Sequence, residues 1–111
     1  MQQKHKIFPK EILTDKSFGI ELSGDSDSYL FDDIAKFIEQ KLIVKFTEKL
    51  DGLDQRYWDF KYNNCLLTLH LEHYLGLSIY SYEINEQSIA TIREIAIKIE
   101  NNFNNLHDET D

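Results

Sequence analysis

The chain of 111 residues holds a single cysteine, Cys65, which excludes an internal disulfide. A lone cysteine fits a reducing compartment, and such a residue is more often a small buried hydrophobe than a reactive thiol. No apolar run approaches the ~20 residues that a membrane span requires. The opening Met1-Gln2-Gln3-Lys4-His5-Lys6 is basic but has no long apolar segment behind it, so no secretory signal is expected and the default compartment is the cytosol. There is no Gly-rich phosphate loop, no nucleophile elbow and no pair of carboxylates at a telling spacing. Basic residues are outnumbered, 12 against 20 acids, for a net charge of −8. That balance disfavours a nucleic-acid partner, whose affinity comes from Lys and Arg neutralising phosphates. It favours solubility and attraction to a basic partner.

Against these absences stand 41% hydrophobic and 13% aromatic residues, too many for a disordered chain. The length suits one domain, 1–111, able to bury roughly 65% of its unfolded surface. The acids are uneven. Glu21, Asp25, Asp27, Asp32, Asp33 and Glu39 face only Lys36 in the same stretch, and the chain ends Asp108-Glu109-Thr110-Asp111. A solvated surface is the ordinary explanation of such runs.

Periodicity divides the chain. Residues 1–14 are basic and mixed, contain the one proline, Pro9, and read as a loosely ordered lead-in. Over 17–22, Phe18, Ile20 and Leu22 alternate with polar or small neighbours, which is strand period. A loop of Ser, Gly and Asp follows, and then Leu30, Ile34, Phe37 and Ile38 form one helical stripe. A helix is predicted over 28–40, capped by Asp27 or Ser28, with Asp32 and Asp33 suiting the positive end of its dipole. Residues 41–50 alternate again and predict a strand. Asp51-Gly52-Leu53-Asp54 signals a turn. Trp58, Phe60 and Tyr62 then alternate with Tyr57, Asp59 and Lys61. Asn63-Asn64 suits a tight hairpin. Leu67, Leu69 and Leu71 alternate with Thr68, His70 and Glu72, and past Gly76 so do Leu77 and Ile79 with Ser78 and Tyr80. Ile89, Ile92, Ala96, Ile99 and Phe103 predict a helix over 86–103 with Asn85 as N-cap, and residues 104–111 read as a loose tail. The expected fold is α+β: an antiparallel sheet of four to five strands with two helices, in the order strand, helix, strands, helix.

Within the meander, His70-Leu71-Glu72-His73 raises the question of a metal or catalytic site. On a strand, residues two apart share a face, so His70 and Glu72 point one way and His73 the other. Two side chains on one strand do not close a metal site, which usually needs three or four ligands. His5 and His107 fall in the loose termini. Cys65 and His70 lie five apart, on opposite faces, which disfavours a thiol–imidazole dyad. Neither a metal, nor a cofactor, nor an enzymatic activity is expected.

The same parity predicts a two-faced sheet. Trp58, Phe60, Tyr62, Leu67, Leu69, Leu71, Leu77 and Ile79 form the core face. The other face mixes Tyr57, Asp59, Lys61, Thr68, His70, Glu72, Ser78 and Tyr80. It is an ordinary solvated face, a docking face, or a second packed face covered by the first helix. Tyrosines favour docking, because they bury area at low entropic cost. The candidate contact residues are Asp59, His70, Glu72 and Tyr80 on this face, and Asp25, Asp27, Asp32 and Asp33 around the first helix.

The stretch from Leu53 to Tyr80 also resembles the middle of small acidic immunity proteins of bacterial contact-dependent inhibition and related polymorphic toxin systems. The features that carry the resemblance are Tyr57-Trp58-Asp59, Leu67-Thr68-Leu69-His70 and Glu72-His73-Tyr74-Leu75-Gly76. The resemblance implies a cytosolic protein that binds a delivered toxin domain and blocks its active or substrate-binding surface. Many such toxins are nucleases with basic surfaces, which a chain of charge −8 would meet rapidly. The second expectation is a non-catalytic interaction module or accessory subunit of another cytosolic complex.

Overall fold

The computed structural model describes residues 7–108, with side chains through residue 104. Six strands and two helices follow one another as β1 (Lys10–Leu13), β2 (Phe18–Ser23), α1 (Ser28–Lys41), β3 (Phe46–Asp51), β4 (Gln55–Tyr62), β5 (Cys65–Glu72), β6 (Gly76–Ser81) and α2 (Glu86–Asp108). The strands make one antiparallel sheet in the order β1-β2-β6-β5-β4-β3. The fold is α+β as the periodicities predict, with six strands rather than four to five and a pair of strands ahead of α1.

The additional strand is β1. Residues 1–14 read as a lead-in because Lys10 to Leu13 has no buried face, and all four residues are exposed. β1 is held instead by its backbone ladder to β2 and by Arg93 of α2, whose Nε and Nη2 bond both Glu11 carboxylate oxygens at 2.7 and 3.0 Å. Ahead of it, Ile7 is fully buried. Its N–H donates to Asn104 Oδ1 at 2.9 Å, and Asn104 Nδ2 donates back to the Ile7 carbonyl at 3.2 Å. These bonds tie the N-terminal segment to α2 and help carry that helix through Asp108, five residues past the predicted end. The expected looseness of residues 1–6 and 109–111 lies outside the described residues.

Asp27 caps α1, its carboxylate accepting from the Tyr29 and Leu30 N–H groups at 2.9 and 3.3 Å. Asp32 and Asp33 lie in the second turn, too deep to meet the dipole's positive end. The helix ends at Leu42, whose N–H reaches the Ile38 carbonyl, and Ile43 follows with a left-handed φ of 56°. Residues 41–45 are therefore a helix end and a bend, and the strand predicted from residue 41 begins at Phe46. The alternation of Leu42, Val44 and Phe46 arises because Leu42 turns inward as the helix cap and Val44 packs against the core from the bend.

A helix of α1's length rises about 21 Å. The four interstrand spacings from β2 to β3 come to about 19 Å. α1 is thus long enough to carry the chain across the sheet, after which β3 to β6 return as a meander. Asn63 and Asn64, with φ of 55° and 62°, form the left-handed β4–β5 hairpin that their identity predicts. Asn85 caps α2 reciprocally with Ser88: Ser88 N–H donates to Asn85 Oδ1 at 2.8 Å, and Asn85 N–H donates to Ser88 Oγ at 3.1 Å.

Both helices pack on one side of the sheet. Phe31 of α1 meets Trp58 of β4 edge-on at 5.1 Å, and Phe37 of α1 meets Phe103 of α2 at 6.0 Å. In the layer between helices and sheet, Phe60, Leu67, Leu69, Leu77 and Ile79 of the strands and Ile92, Ile95 and Ile99 of α2 are fully buried. At the edge of this layer the Arg56 guanidinium lies 4.2 Å from the Phe31 ring and 4.9 Å from Trp58. Its Nε bonds Asp51 and its Nη1 bonds Asp32, each at 3.0 Å. Burial raises the Asp51 carboxyl, but hydrogen bonds from Arg56 and Trp58 outweigh it and hold the group below the usual carboxylate range. Among the described residues no helix is long and apolar enough to cross a membrane.

Candidate functional site

Because both helices occupy one side, the opposite side of the sheet is left uncovered by the described residues' helices. The register brings the predicted outward residues together. Tyr57 pairs with His70, Asp59 with Thr68, and Thr68 with Tyr80. The β5–β6 ladder runs without a slip to Gly76, so the parity read from the sequence holds across β4, β5 and β6.

His70 is the centre of an aromatic row across three strands. Its imidazole stacks on Tyr57 with centroids 4.3 Å apart and 14° between planes. It meets Tyr80 edge-on at 5.6 Å, and Tyr80 meets Tyr82 edge-on at 5.2 Å. The ring is largely covered, with its side chain 13% exposed. Among the described residues the buried Nε2 has no hydrogen-bond partner, and Glu72 Oε1 at 3.5 Å is near without completing a bond. Burial lowers the His70 pKa, and the Glu72 charge only partly opposes this. The imidazole is therefore neutral near pH 7, and the pair becomes ionic only on acidification. His70 props the two tyrosines and offers little surface of its own. His73 lies in the β5–β6 turn, away from this row.

Beside the row lies an open groove of about 470 Å³, lined by Leu50, Tyr57, Asp59, Leu66, Thr68, Tyr80, Tyr82 and Glu83. Thr68 Oγ1 donates to Asp59 Oδ1 at 2.7 Å and orients the carboxylate. The Tyr82 hydroxyl donates to that of Tyr80 at 3.4 Å. Burial, then this bond, push the Tyr80 phenol far above its ordinary value, so it keeps its proton throughout the physiological range. Leu50, Leu66 and Tyr82 are exposed at 58%, 45% and 69%.

Of the eight candidate residues, Asp59, His70, Glu72 and Tyr80 share this face. Asp25, Asp27, Asp32 and Asp33 belong to α1 and the loop before it, and α1 packs against the other side of the sheet, so the two sets do not form one surface. Asp27 is engaged as the helix cap and Asp32 with Arg56, while Asp25 and Asp33 are exposed. Leu50, Leu66, Tyr82 and Glu83 line the groove in addition to those candidates. Tyr82 was findable, being two residues from Tyr80. Leu50 was not. A bulge between Phe46 and Glu48 turns Leu50 outward opposite Tyr57, while Phe46 stays on the core face opposite Phe60.

Among the described residues no three His, Cys, Asp or Glu side chains are placed to hold a metal ion. Cys65 is buried on the core side, its thiol 3.8 Å from Thr91 Oγ1. No curated protein and no solved structure matches the chain. A family model described as "Protein of unknown function (DUF3630)" matches residues 13–91, a span that includes every residue lining the groove. With well over half its length matched, the chain belongs to the DUF3630 family.

Proposed function

We propose that this chain is a non-catalytic cytosolic binding protein that docks a basic protein domain on the uncovered face of its sheet, and that the partner is the toxin domain of a polymorphic toxin system, which the chain neutralises. One observation supports the docking face above others: an uncovered sheet face that carries three tyrosines, exposed leucines and carboxylates together. Tyrosine and leucine supply area that water leaves readily, while Asp59, Glu72 and Glu83 supply charge. The net charge of −8 supports a basic partner through long-range steering. The resemblance of residues 53–80 to immunity proteins supports a toxin.

The test is growth rescue. The C-terminal domain encoded by the neighbouring upstream reading frame is expressed in a sensitive host with and without this chain. Arrest by the domain alone and growth with both is the expected result. A toxic domain whose effect is unchanged by this chain contradicts the toxin assignment. The second reading, an accessory subunit of another cytosolic complex, is favoured by the exposure of Leu50, Leu53 and Leu66, apolar side chains that a partner of any charge could cover. Rescue failing while a stable hetero-complex is isolated from the native host selects that reading.

A further inference from the structure

We propose that the groove between Leu50, Leu66 and the tyrosines is a receptor for one arginine side chain of the protein partner. The inference rests on the reading of this face as a docking surface and specifies what enters it. Three rings, Tyr57, Tyr80 and Tyr82, line the groove, with the Asp59 and Glu83 carboxylates among them. Aromatic faces attract a cation, and a planar guanidinium can stack on a ring while its fork bonds a carboxylate. Leu50 and Leu66 offer apolar wall to the arginine's methylene stem.

The molecule already holds one guanidinium with this set of groups. On the other side of the sheet Arg56 lies over two rings, Phe31 and Trp58, and bonds two carboxylates, Asp32 and Asp51. The groove repeats the rings and the carboxylates but has no basic side chain among the described residues that line it. Lys61, two residues along β4 from Asp59, is exposed and does not line it. Asp59 Oδ1 is engaged by Thr68, which orients the carboxylate without neutralising it. A second copy of this chain is disfavoured as occupant, since two chains of charge −8 repel.

The probe is acetyl-Gly-Arg-Gly-amide, titrated into the ¹⁵N-labelled full chain, with the citrulline peptide as its neutral isostere. Amide shifts should centre on Tyr57, Asp59, Tyr80, Tyr82 and Glu83, saturating with a Kd on the order of millimolar. The citrulline peptide should leave them unmoved. Tyr82→Ala, at an exposed position that leaves the fold intact, and Asp59→Asn should each weaken binding at least fivefold. Equal response to citrulline, shifts spread equally over Asp25 and Asp33, or no shift overturns the inference. So does a homodimer in sedimentation equilibrium that Tyr82→Ala dissociates, since the groove then belongs to a second copy. If the peptide binds here and no toxin is neutralised, the groove stands and the toxin assignment falls. If a toxin domain is neutralised and binds Tyr82→Ala and Asp59→Asn as tightly as the parent, the docking reading stands and the arginine receptor falls.

Discussion

Gly19→Ala joins the core of the fold to the docking face. Gly19 lies opposite Tyr80 across the β2–β6 ladder. A Cβ added at Gly19 would stand 2.7 Å from Tyr80 Cβ and 2.9 Å from the Ile79 carbonyl oxygen. Neither neighbour is the end of a flexible side chain, so the strands themselves must separate. Overpacking of this kind costs about 1–3 kcal/mol. Replacing glycine by alanine also removes freedom from the unfolded chain, which returns about 0.4–1 kcal/mol. The expected net loss is about 1–2 kcal/mol. With a urea slope of about 1–3 kcal/mol per molar, the unfolding midpoint followed by circular dichroism falls by about 0.3–2 M. Gly24→Ala is the control: nothing stands within 4 Å of its added Cβ, and its midpoint should hardly move. An unchanged or raised midpoint in Gly19→Ala refutes the close approach of β2 to β6 beneath Tyr80.

Three further outcomes follow from single residues. Ile43 holds a φ of 56° at 85% exposure, so Ile43→Gly should relieve left-handed strain and raise stability by about 1 kcal/mol in urea unfolding; a loss would show that the Ile43 side chain contributes more than the strain costs. Leu69 is fully buried, and Leu69→Ala should destabilise by about 2–5 kcal/mol in the same assay, whereas a near-neutral result would mean that the two sheet faces are reversed. His70 has a pKa lowered in the folded state, chiefly by burial. Below about pH 6.5 the unfolded chain takes up this proton more readily than the folded one, so stability falls as pH drops through that value and the loss levels off below the folded pKa. Relative to His70→Phe, the parent should therefore lose urea midpoint progressively on acidification from pH 7, and parallel pH profiles would contradict a buried neutral imidazole.

The sheet and both helices were legible because their signals are local. The Asn63-Asn64 hairpin, the Asp27 and Asn85 caps and the alternation through β4 and β5 depend on neighbours within a few residues. What escaped depends on distant partners. β1 has no apolar face of its own and exists because β2 and Arg93 hold it. Ile7 is buried because Asn104, almost a hundred residues away, binds its backbone. The site divided in the same way. Asp59, His70, Glu72 and Tyr80 follow from strand parity, but Leu50 required the bulge after Phe46, and Asp32 was taken up by Arg56 across the molecule. Largely covered His70 braces its tyrosine neighbours, a role that a polar residue in an alternating strand does not announce.

The most direct test of the docking face places charge reversals on its two sides. Asp59→Lys with Glu72→Lys alters the uncovered sheet face, and Asp25→Lys with Asp33→Lys alters the α1 side by the same total charge. Both pairs are introduced into the growth-rescue assay beside the parent chain, with folding checked by circular dichroism. The sheet-face pair should abolish protection while remaining folded, and the α1-side pair should protect as well as the parent. Loss of protection from the α1-side pair with full protection from the sheet-face pair would contradict the uncovered face as the binding surface.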